Sequence, residues 1–490
     1  MAEYLSPGVY VEDIASAAVI EQVSSSTGAF AGIAQRGKVG VPALVTSWNA
    51  YLNKYAGGLS TPFMDNSDLA YAVYGFFQNG GQRCYIQRVA GEDAAVATCV
   101  LGETDFPTAG AGEGDYPEIT AKDEGVWGNG LKVDIAADDN VSGAFKITVS
   151  LNDVVQEVFT ELTNTPNTNN YWVDIINMQS NFISAVSGTI KATTQTITFT
   201  GGDDDVDGVS DQSYIDCLAN FDAFDDFTLL ALPGQTSNTV YDAIFSYCEN
   251  RKYVFAIIDP PRASTVESIK TLRASLSCSN AAIYFPYIRV NDPLSTTGKL
   301  RDCPPSGHIM GVYARTITER GVWKAPAGTE AVVRGAIETV VQVTKGDTDI
   351  LNPAYINSIM AKTNYGIVVW GARCLNPDSS MKYVSDMLLD INIKKSVEQG
   401  TQVYVFEPNA HETWAKVRTT VQTFLDGLWR DGALYGETAA EAYYVICDDT
   451  INTETERTQG KMICEVGYAS KKPAEFVIFR FSHNVAAANS

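Results

Sequence analysis

Hydrophobic and polar positions follow two different patterns along this chain. Over residues 28–89 and again over 226–290, short apolar runs alternate with segments in which apolar residues recur every three or four positions. Buried strands give the first pattern and amphipathic helices give the second. Strands that alternate with helices in this way predict a mostly parallel sheet covered on both faces, so the expected fold class is α/β, within a chain that is α+β overall.

The segment between these two regions has a different pattern. Residues 91–208 are rich in Asp, Asn, Thr and Gly, and apolar residues alternate with polar ones in "LKVDIAAD", "FKITVSL", "DVVQEVF" and "TQTITFTGG". Several short alternating strands at this spacing predict an inserted antiparallel β domain.

The last third of the chain, from Gly311, mixes long helices with short strands. The pattern predicts helices over "YVSDMLLDINIKKSVEQG" and "HETWAKVRTTVQTFLDGLWRDGAL", and strands over "QVYVFE", "AYYVICD" and "KMICEVGYA". In the second helix, six apolar residues recur at helical spacing and are predicted to be core: Trp414, Val417, Val421, Phe424, Leu425 and Leu428.

Both ends of the chain have strand-like segments. In "KKPAEFVIFRF", every residue from Phe476 to Phe481 except Arg480 is large and apolar, which predicts a strand that needs cover on both faces. Near the other end, "GVYVED" alternates as a strand does and is followed by the small-residue linker "ASAAV". The N-terminal strand is either an arm that reaches away from its own body or an edge strand of the first domain.

Composition is that of a globular protein. With 490 residues, 45% of them hydrophobic and 19% charged, the chain is long enough for about two to four domains. No run approaches the roughly eighteen apolar residues of a membrane helix, and the start lacks the basic and apolar regions of a signal peptide. Nine cysteines without a CxxC pair favour reduced core thiols and folding in the cytoplasm over a disulfide framework.

The net charge of −23 is concentrated in one segment. Residues 101–230 hold 23 Asp and Glu against 4 Lys, which indicates a solubilising outer surface. Because no basic face is evident, direct nucleic-acid binding is disfavoured. Within this segment, "GGDDDVDG" offers oxygen ligands for calcium, but it lacks the final Glu of an EF-hand loop and its acids are adjacent, so a solvated turn is favoured over a metal site.

Catalytic signatures are missing from the sequence. It contains no GxxxxGK[ST], HExxH, GxSxG or GxGxxG motif, so no cofactor or metal is predicted. The histidines His308, His411 and His483 are interpreted as surface or capping residues. Asp259 ends an apolar strand, where α/β enzymes often keep a catalytic acid, but the prolines after it favour a turn or cap role. Apolar termini without a catalytic constellation indicate an assembly protein.

Eight blocks of the sequence occur in the same order in one known family. They are "YLSPGVYVEDI", "SSSTGAFAGIAQRG", "AYAVYGFFQNGGQRCYIQRV", "YARTITERGVWKAPAG", "NYGIVVWGARCL", "QVYVFEPN", "FLDGLWRDGALYG" and "PAEFVIFRF". This set resembles the contractile tail sheath proteins of phages and of phage-tail-like particles such as R-type bacteriocins and contractile injection systems. The acidic segment lies outside the blocks.

The resemblance implies a division of the chain. A subtilisin-like α/β domain without catalytic residues would comprise residues 26–90 and 209–310, with the β insertion at 91–208. An N-terminal arm at 1–25 and a C-terminal sheath-core domain at 311–490 would complete the subunit, with both chain ends contributing to the core.

The resemblance also implies a function. Sheath subunits form hexameric rings that stack helically round an inner tube, with baseplate and tail terminator proteins at the ends. The virion or tail-like particle is assembled in the bacterial cytoplasm, and contraction of a metastable lattice drives the tube through a target envelope. Neither nucleic acid nor a membrane is implied as a direct partner.

Two kinds of contact residue follow from the resemblance. Strands exchanged between subunits would be donated by Gly8, Val9, Tyr10, Val11, Glu12, Phe476, Val477, Ile478, Phe479 and Arg480. Pairing inside one subunit is the alternative. The inner-tube contact would be made by Lys416, Thr420, Thr423 and Arg430. A solvated helix face and a second basic spot at Lys394 and Lys395 are alternatives to this assignment.

Two functions of other classes remain as alternatives. A subtilisin-fold hydrolase with degenerate motifs would require a Ser and His pair, which is not discernible in the sequence. An adhesin-like surface module would be built on the acidic β segment.

Overall fold

The computed structural model describes residues 19–57, 61–100, 118–186, 189–190, 195–376, 381–476 and 478. The chain divides into two compact units. The larger unit contains residues 24–320 and 324–387. The smaller unit contains residues 19–23, 321–323 and the described residues from 388 onwards.

The strands are β1 (Gly28–Ile33), β2 (Ala43–Val45), β3 (Cys84–Val89), β4 (Thr98–Val100), β5 (Glu118–Ala121), β6 (Leu131–Ala137), β7 (Phe145–Leu151), β8 (Val154–Leu162), β9 (Ile183–Ala185), β10 (Gln195–Thr198), β11 (Leu229–Ala231), β12 (Phe255–Ile258), β13 (Ala281–Phe285), β14 (Ile288–Asn291), β15 (Leu300–Cys303), β16 (Ala336–Thr339), β17 (Asn357–Lys362), β18 (Gly366–Val369), β19 (Tyr443–Ile446) and β20 (Glu465–Tyr468). The α-helices are α1 (Trp48–Tyr55), α2 (Leu69–Gln78), α3 (Trp172–Gln179), α4 (Asp211–Asn220), α5 (Asn238–Arg251), α6 (Val266–Ala274), α7 (Ser306–Arg320), α8 (Lys345–Leu351), α9 (Val384–Thr401), α10 (His411–Arg430), α11 (Ala439–Ala442) and α12 (Glu454–Thr458).

An eight-stranded sheet forms the centre of the larger unit, in the order β18-β17-β13-β12-β11-β1-β3-β2. The strands from β3 to β17 are parallel, whereas β2 and β18 close the two edges in antiparallel pairs. In β1, β3, β11, β12 and β13 every residue is buried, which means that both faces are covered. The predicted mostly parallel α/β sheet is confirmed.

Helices α2 and α7 approach each other closely in the same unit. A Cβ atom added at Gly307 would lie 2.4 Å from the main chain of Ala72, and one added at Gly75 would lie 2.3 Å from the imidazole of His308. Carbon atoms that are not bonded do not come this close, so the packing requires glycine at both positions.

A second hydrophobic cluster lies in the acidic segment. It is covered by a four-stranded antiparallel sheet, β10-β6-β7-β8, and by a three-stranded sheet, β4-β5-β9. Large members of the cluster are Trp127, Ile147 and Trp172. Buried and half-buried residues alternate along most of β6, as the sequence pattern predicts. The four predicted strands are confirmed as β6, β7, β8 and β10.

The smaller unit combines helices with a two-stranded antiparallel sheet. It contains α9 from Leu388 onwards, α10, α11, α12 and the pair β19-β20. The two long predicted helices and the strands predicted in "AYYVICD" and "KMICEVGYA" are confirmed.

The strand predicted over "QVYVFE" is wrong. Residues Gln402–Tyr404 form a 3₁₀ turn, and Phe406 has a φ of 70°, which a strand does not allow. The main chain hydrogen-bonds within itself, because the Val405 N–H donates to the Gln402 carbonyl and the Glu407 N–H donates to the Tyr404 carbonyl. Val405 and Phe406 are therefore exposed.

The observed division also differs from the boundary predicted at Gly311. Helix α7 runs without a break through Gly311 to Arg320, and β17 and β18 belong to the eight-stranded sheet. Hydrophobic patterning does not reveal which sheet a late strand joins, and the larger unit consequently extends to Met387.

Candidate assembly surface

Helix α10 has a buried apolar face and an exposed polar face. Its six predicted core residues are all buried, which confirms that prediction. Lys416, Thr423 and Arg430 are exposed. The Thr423 hydroxyl donates to the carbonyl oxygen of Thr419, and Arg430 Nη2 lies 2.8 Å from Asp426 Oδ2. This face therefore carries charges that a partner can reach, and their internal contacts are local.

Thr420 does not belong to the exposed face, so its assignment to that surface is wrong. Its side chain is 2% exposed, and its hydroxyl is 2.8 Å from the Tyr404 hydroxyl. The reason is helical spacing: Thr420 follows Val417 by three residues and precedes Phe424 by four, which places it in the buried stripe. Its hydrogen bond anchors the turn that replaces the predicted "QVYVFE" strand.

Lys394 and Lys395, the alternative basic site for the tube contact, lie in different environments. Lys394 is exposed, with its Nζ 2.6 Å from Asp390 Oδ2, whereas Lys395 is 3% exposed. The two lysines therefore do not form one basic surface.

The main chain that follows the predicted arm is attached to α9. Gln22 Nε2 donates to Asn392 Oδ1 at 3.0 Å, and Asn392 Nδ2 donates to the Val23 carbonyl at 2.8 Å. The Val23 N–H donates to Ser396 Oγ at 3.0 Å. Between residues 19–22 and α10 lies a cavity of about 240 Å³. The root of the predicted arm therefore lies in the unit that carries the exposed face of α10.

The pair β19-β20 forms a sheet of only two strands among the described residues. No third strand pairs with it there, apart from a single bridge between Leu434 and Ser470. Isolated two-stranded sheets are only marginally stable in water. Downstream of β20, the apolar side chains of Phe476 and Ile478 are 73% and 76% exposed.

The other residues predicted to take part in strand exchange lie outside the described residues. They are Gly8, Val9, Tyr10, Val11, Glu12, Val477, Phe479 and Arg480.

Asp259 caps helix α7. Its carboxylate accepts hydrogen bonds from the N–H of Ser306 (2.8 Å), the hydroxyl of Ser306 (2.7 Å) and the N–H of Gly234 (3.1 Å). The carboxyl is buried, and this burial raises its pKa to about 7. The predicted cap role is confirmed. The sequence does not reveal Ser306 as the partner, because the two residues are 47 positions apart and only the fold brings them together.

The histidines occupy different environments. His308 is 2% exposed on α7, so its assignment as a surface or capping residue is wrong. Its imidazole fills the space above Gly75. Burial lowers the pKa of the imidazole to about 4. Two residues separate on a helix by about 200°, so His308 and Ser306 do not share a face. His411 is exposed at the start of α10, as predicted, and His483 lies outside the described residues.

The acidic "GGDDDVDG" loop is used for internal contacts. Asp204 is buried beside Arg88, and burial raises the pKa of its carboxyl. Asp205 Oδ2 accepts the N–H of Asp93 at 3.1 Å, and Asp203 Oδ1 accepts the N–H of Asp205 at 2.9 Å. The loop is neither a calcium site nor a fully solvated turn, because its central acidic residue, Asp204, is buried in an ion pair with Arg88. Over the described ranges, no group of three or more His, Cys, Asp or Glu is arranged to hold a metal ion.

In the described part of the chain, no helix combines the length and the apolar character that crossing a bilayer requires.

Two protein-family models match the chain. The phage tail sheath protein central domain matches residues 207–375, and the phage tail sheath C-terminal domain matches residues 376–484. A protein described as a prophage major tail sheath protein of Pseudomonas aeruginosa (strain UCBPP-PA14) is 25% identical over 265 residues. That match covers 51% of this chain and 64% of the relative's length.

Solved structures with the same fold cover almost the whole chain. A chain from the baseplate of the anti-feeding prophage has 25% identity and a TM-score of 0.61, with 98% of this chain and 100% of that chain covered. A chain from the contracted sheath complex of an extracellular contractile injection system, PVC, has 22% identity and a TM-score of 0.63, with 99% and 100% covered. Because the two family models together match more than half of its residues, the chain belongs to the phage tail sheath protein family.

Proposed function

We propose that this chain is the structural subunit of a contractile tail sheath in a virion or phage-tail-like particle. Its copies form hexameric rings that stack helically round an inner tube, and contraction of the stack drives the tube through a target envelope. Baseplate and tail terminator proteins are the expected partners at the two ends. A similar chain in a baseplate solved with six-fold symmetry supports the ring, and a similar chain in a contracted sheath supports contraction.

The observation that carries this proposal is the pair β19-β20 and the exposed apolar residues that follow it. A two-stranded sheet presents unpaired main-chain groups at its outer edges, and Phe476 and Ile478 leave a large apolar surface in water. Strands added from neighbouring subunits would pair the free main-chain groups and cover the apolar side chains. Main-chain hydrogen bonds would stabilise the joint, and alternating side chains would fix its register. We therefore assign strand donation to residues 8–12 and 476–480, with β19-β20 as the acceptor.

The inner-tube contact is assigned to the exposed face of α10. Lys416, Thr423 and Arg430 remain in this set, and the buried Thr420 is removed from it. Exposed charges contribute little binding energy each, which suits a tube that has to slide past its sheath. Contraction draws on the metastable lattice, so the proposal requires neither a nucleotide nor a catalytic residue.

Hydrolase activity is not proposed. The Ser306 hydroxyl donates to Asp259, and His308 lies on another face of α7. Labelling with a serine-reactive probe tests this directly. If the probe labels the chain and the S306A variant loses that label, a purely structural role is contradicted. Removal of residues 91–208 tests the adhesin alternative, because glycan or cell binding lost with that segment supports a surface module.

Negative-stain electron microscopy of the purified chain, alone and with its tube protein, tests the assembly proposal. We expect rings or tubes from the full chain, and folded subunits that do not assemble from the double variant F476D/I478D. Deletion of residues 1–16, or of all residues after Pro473, has the same expected result. Normal tubes from either deletion contradict strand exchange.

A matched control places the same charges on exposed apolar residues elsewhere. Val154 and Met178 are 60% and 73% exposed and lie in the acidic segment, outside the two family matches. The variant V154D/M178D is expected to assemble like the full chain. Loss of assembly in both double variants indicates a general effect of added charge.

A further inference from the structure

Two cysteines face each other at the end of the hairpin in the smaller unit. The ladder of β19 and β20 is antiparallel, with Ile446 opposite Glu465. Continuing that register by one step places Cys447 opposite Cys464. The two thiols are close enough that each contributes to the pKa shift of the other. Both are free thiols, with Cys447 buried and Cys464 partly exposed.

The hydrogen-bond pattern of the ladder defines the geometry of this pair. The N–H of Ala469 donates to the carbonyl of Ala442 at 2.9 Å, which makes these two residues a hydrogen-bonded pair. Hydrogen-bonded and non-hydrogen-bonded pairs alternate along an antiparallel ladder, so Cys447 and Cys464, five steps away, are a non-hydrogen-bonded pair. The Cα atoms of such pairs are about 4.5 Å apart, which is within the span of a disulfide.

The loop between the cysteines already has its two ends held together by Asn452, which is 2% exposed. Its Nδ2 donates to the carbonyls of Ile463 (2.9 Å) and Asp448 (3.2 Å), and its Oδ1 accepts the Ile463 N–H (2.7 Å). Ile463 adjoins Cys464, and Asp448 adjoins Cys447. A bond between the sulfur atoms therefore requires little movement of the main chain.

We propose that Cys447 and Cys464 form a redox site that is converted to an intrachain disulfide by a small-molecule disulfide such as oxidised glutathione. The thiolate of Cys464 attacks one sulfur of the oxidant, which forms a mixed disulfide and releases one glutathione thiolate. The thiolate of Cys447 then attacks the Cys464 sulfur and releases the second. The two cysteines lose two electrons and two protons, and the oxidant becomes two glutathione thiols.

Burial makes this reaction slow. It raises the pKa of Cys464 to about 12 and also raises the pKa of Cys447, and the thiolate is the attacking species. In the folded chain the pair therefore reacts slowly and oxidises only after long exposure to an oxidant. The disulfide fixes the register of β19 against β20. Under the proposed function, on which this consequence rests, it stiffens the sheet that accepts donated strands.

Oxidation of the full chain in its reduced, purified form tests the site. After incubation with oxidised glutathione, alkylation and non-reducing digestion, mass spectrometry is expected to find the Cys447 and Cys464 peptides linked, about 2 Da lighter than the two reduced peptides together. The other seven cysteines, all buried, are expected to be alkylated only after denaturation. Amide hydrogen exchange in β19 and β20 is expected to become slower on oxidation.

The variants C464S and C464A are controls at the partly exposed position. Both are expected to give no linked peptide and no change in amide exchange on oxidation, with the circular dichroism of the native chain retained. Two thiols that remain free after prolonged oxidation overturn the proposal, as do linked peptides that come from two different chains. Because the readout is a link between two peptides of one chain, it does not depend on whether strand exchange occurs.

Discussion

Arg88 Nη2 lies 2.6 Å from Asp204 Oδ1, and this buried ion pair joins the central sheet to the acidic loop. Arg88 belongs to β3, and its side chain is completely buried. Its Nε and Nη1 donate to the carbonyl oxygens of Ala34, Gly37 and Glu124 at 2.7 to 2.9 Å. The guanidinium therefore connects two parts of the larger unit through a set of directed hydrogen bonds.

Removal of one partner of this pair is expected to be costly. The variant R88M leaves the Asp204 carboxylate buried without its cation and three carbonyls without their donor. We expect a loss of about 3 to 5 kcal/mol in the free energy of unfolding. Urea denaturation followed by tryptophan fluorescence measures it. The control K146A removes the exposed ion pair of Lys146 with Asp139 and is expected to cost less than about 1 kcal/mol, so equal losses contradict the role of burial.

Two glycine substitutions in helices are expected to have opposite effects. In G307A, the new Cβ would lie 2.4 Å from the main chain of Ala72, so we expect a loss of about 1 to 3 kcal/mol or more. In G427A, on the exposed face of α10, nothing lies within 4 Å of the new atom, and the helix gains about 0.5 to 1 kcal/mol. Thermal unfolding of both variants measures the difference in sign. A stabilised G307A contradicts the close packing of α2 and α7.

His308 is expected to make stability depend on pH. Burial lowers its pKa from 6.5 to about 4, so between these values the unfolded chain binds a proton that the folded chain excludes. Its contribution is complete above about pH 6.5 and is lost as the pH falls toward 4, by up to about 3 kcal/mol.

The variant H308Q isolates this effect. The measurement is the difference in free energy of unfolding between pH 7 and pH 4.5, which we expect to be smaller in H308Q than in the full chain. H411Q removes the exposed imidazole on α10 and serves as the matched control; a surface substitution of this kind has little effect on stability. An unchanged pH dependence in H308Q shows that the imidazole is not excluded from protonation.

Under the proposed function, charge reversal on α10 is expected to weaken the contact with the tube without preventing sheath formation. In K416E/R430E the exposed face loses two positive charges, so the amount of tube protein that co-sediments with the assembled sheath is expected to fall, most clearly at low salt. K461E, an exposed lysine of the same unit, is the control and is expected to bind like the full chain. Equal binding by both variants contradicts the assignment of this face.

The elements of this fold were largely predictable from local pattern. The strand "LKVDIAAD" and the stripe from Trp414 to Leu428 lie where their apolar spacing predicts them, because burial of one face imposes a period of two on a strand and of 3.6 on a helix. The resemblance to sheath proteins rests equally on the sequence, since ordered blocks of residues are visible without coordinates.

Contacts between distant segments were decided by the tertiary structure. Thr420 is polar yet buried because its hydroxyl forms a hydrogen bond with the Tyr404 hydroxyl. Arg88 is buried in the sheet because Asp204, which is 116 residues further along the chain, pairs with it. The same holds for the pairing of Cys447 with Cys464, which depends on the register of two strands. Hydrophobic periodicity reports whether a position is turned toward a core, but only the folded chain determines which polar partner meets it there.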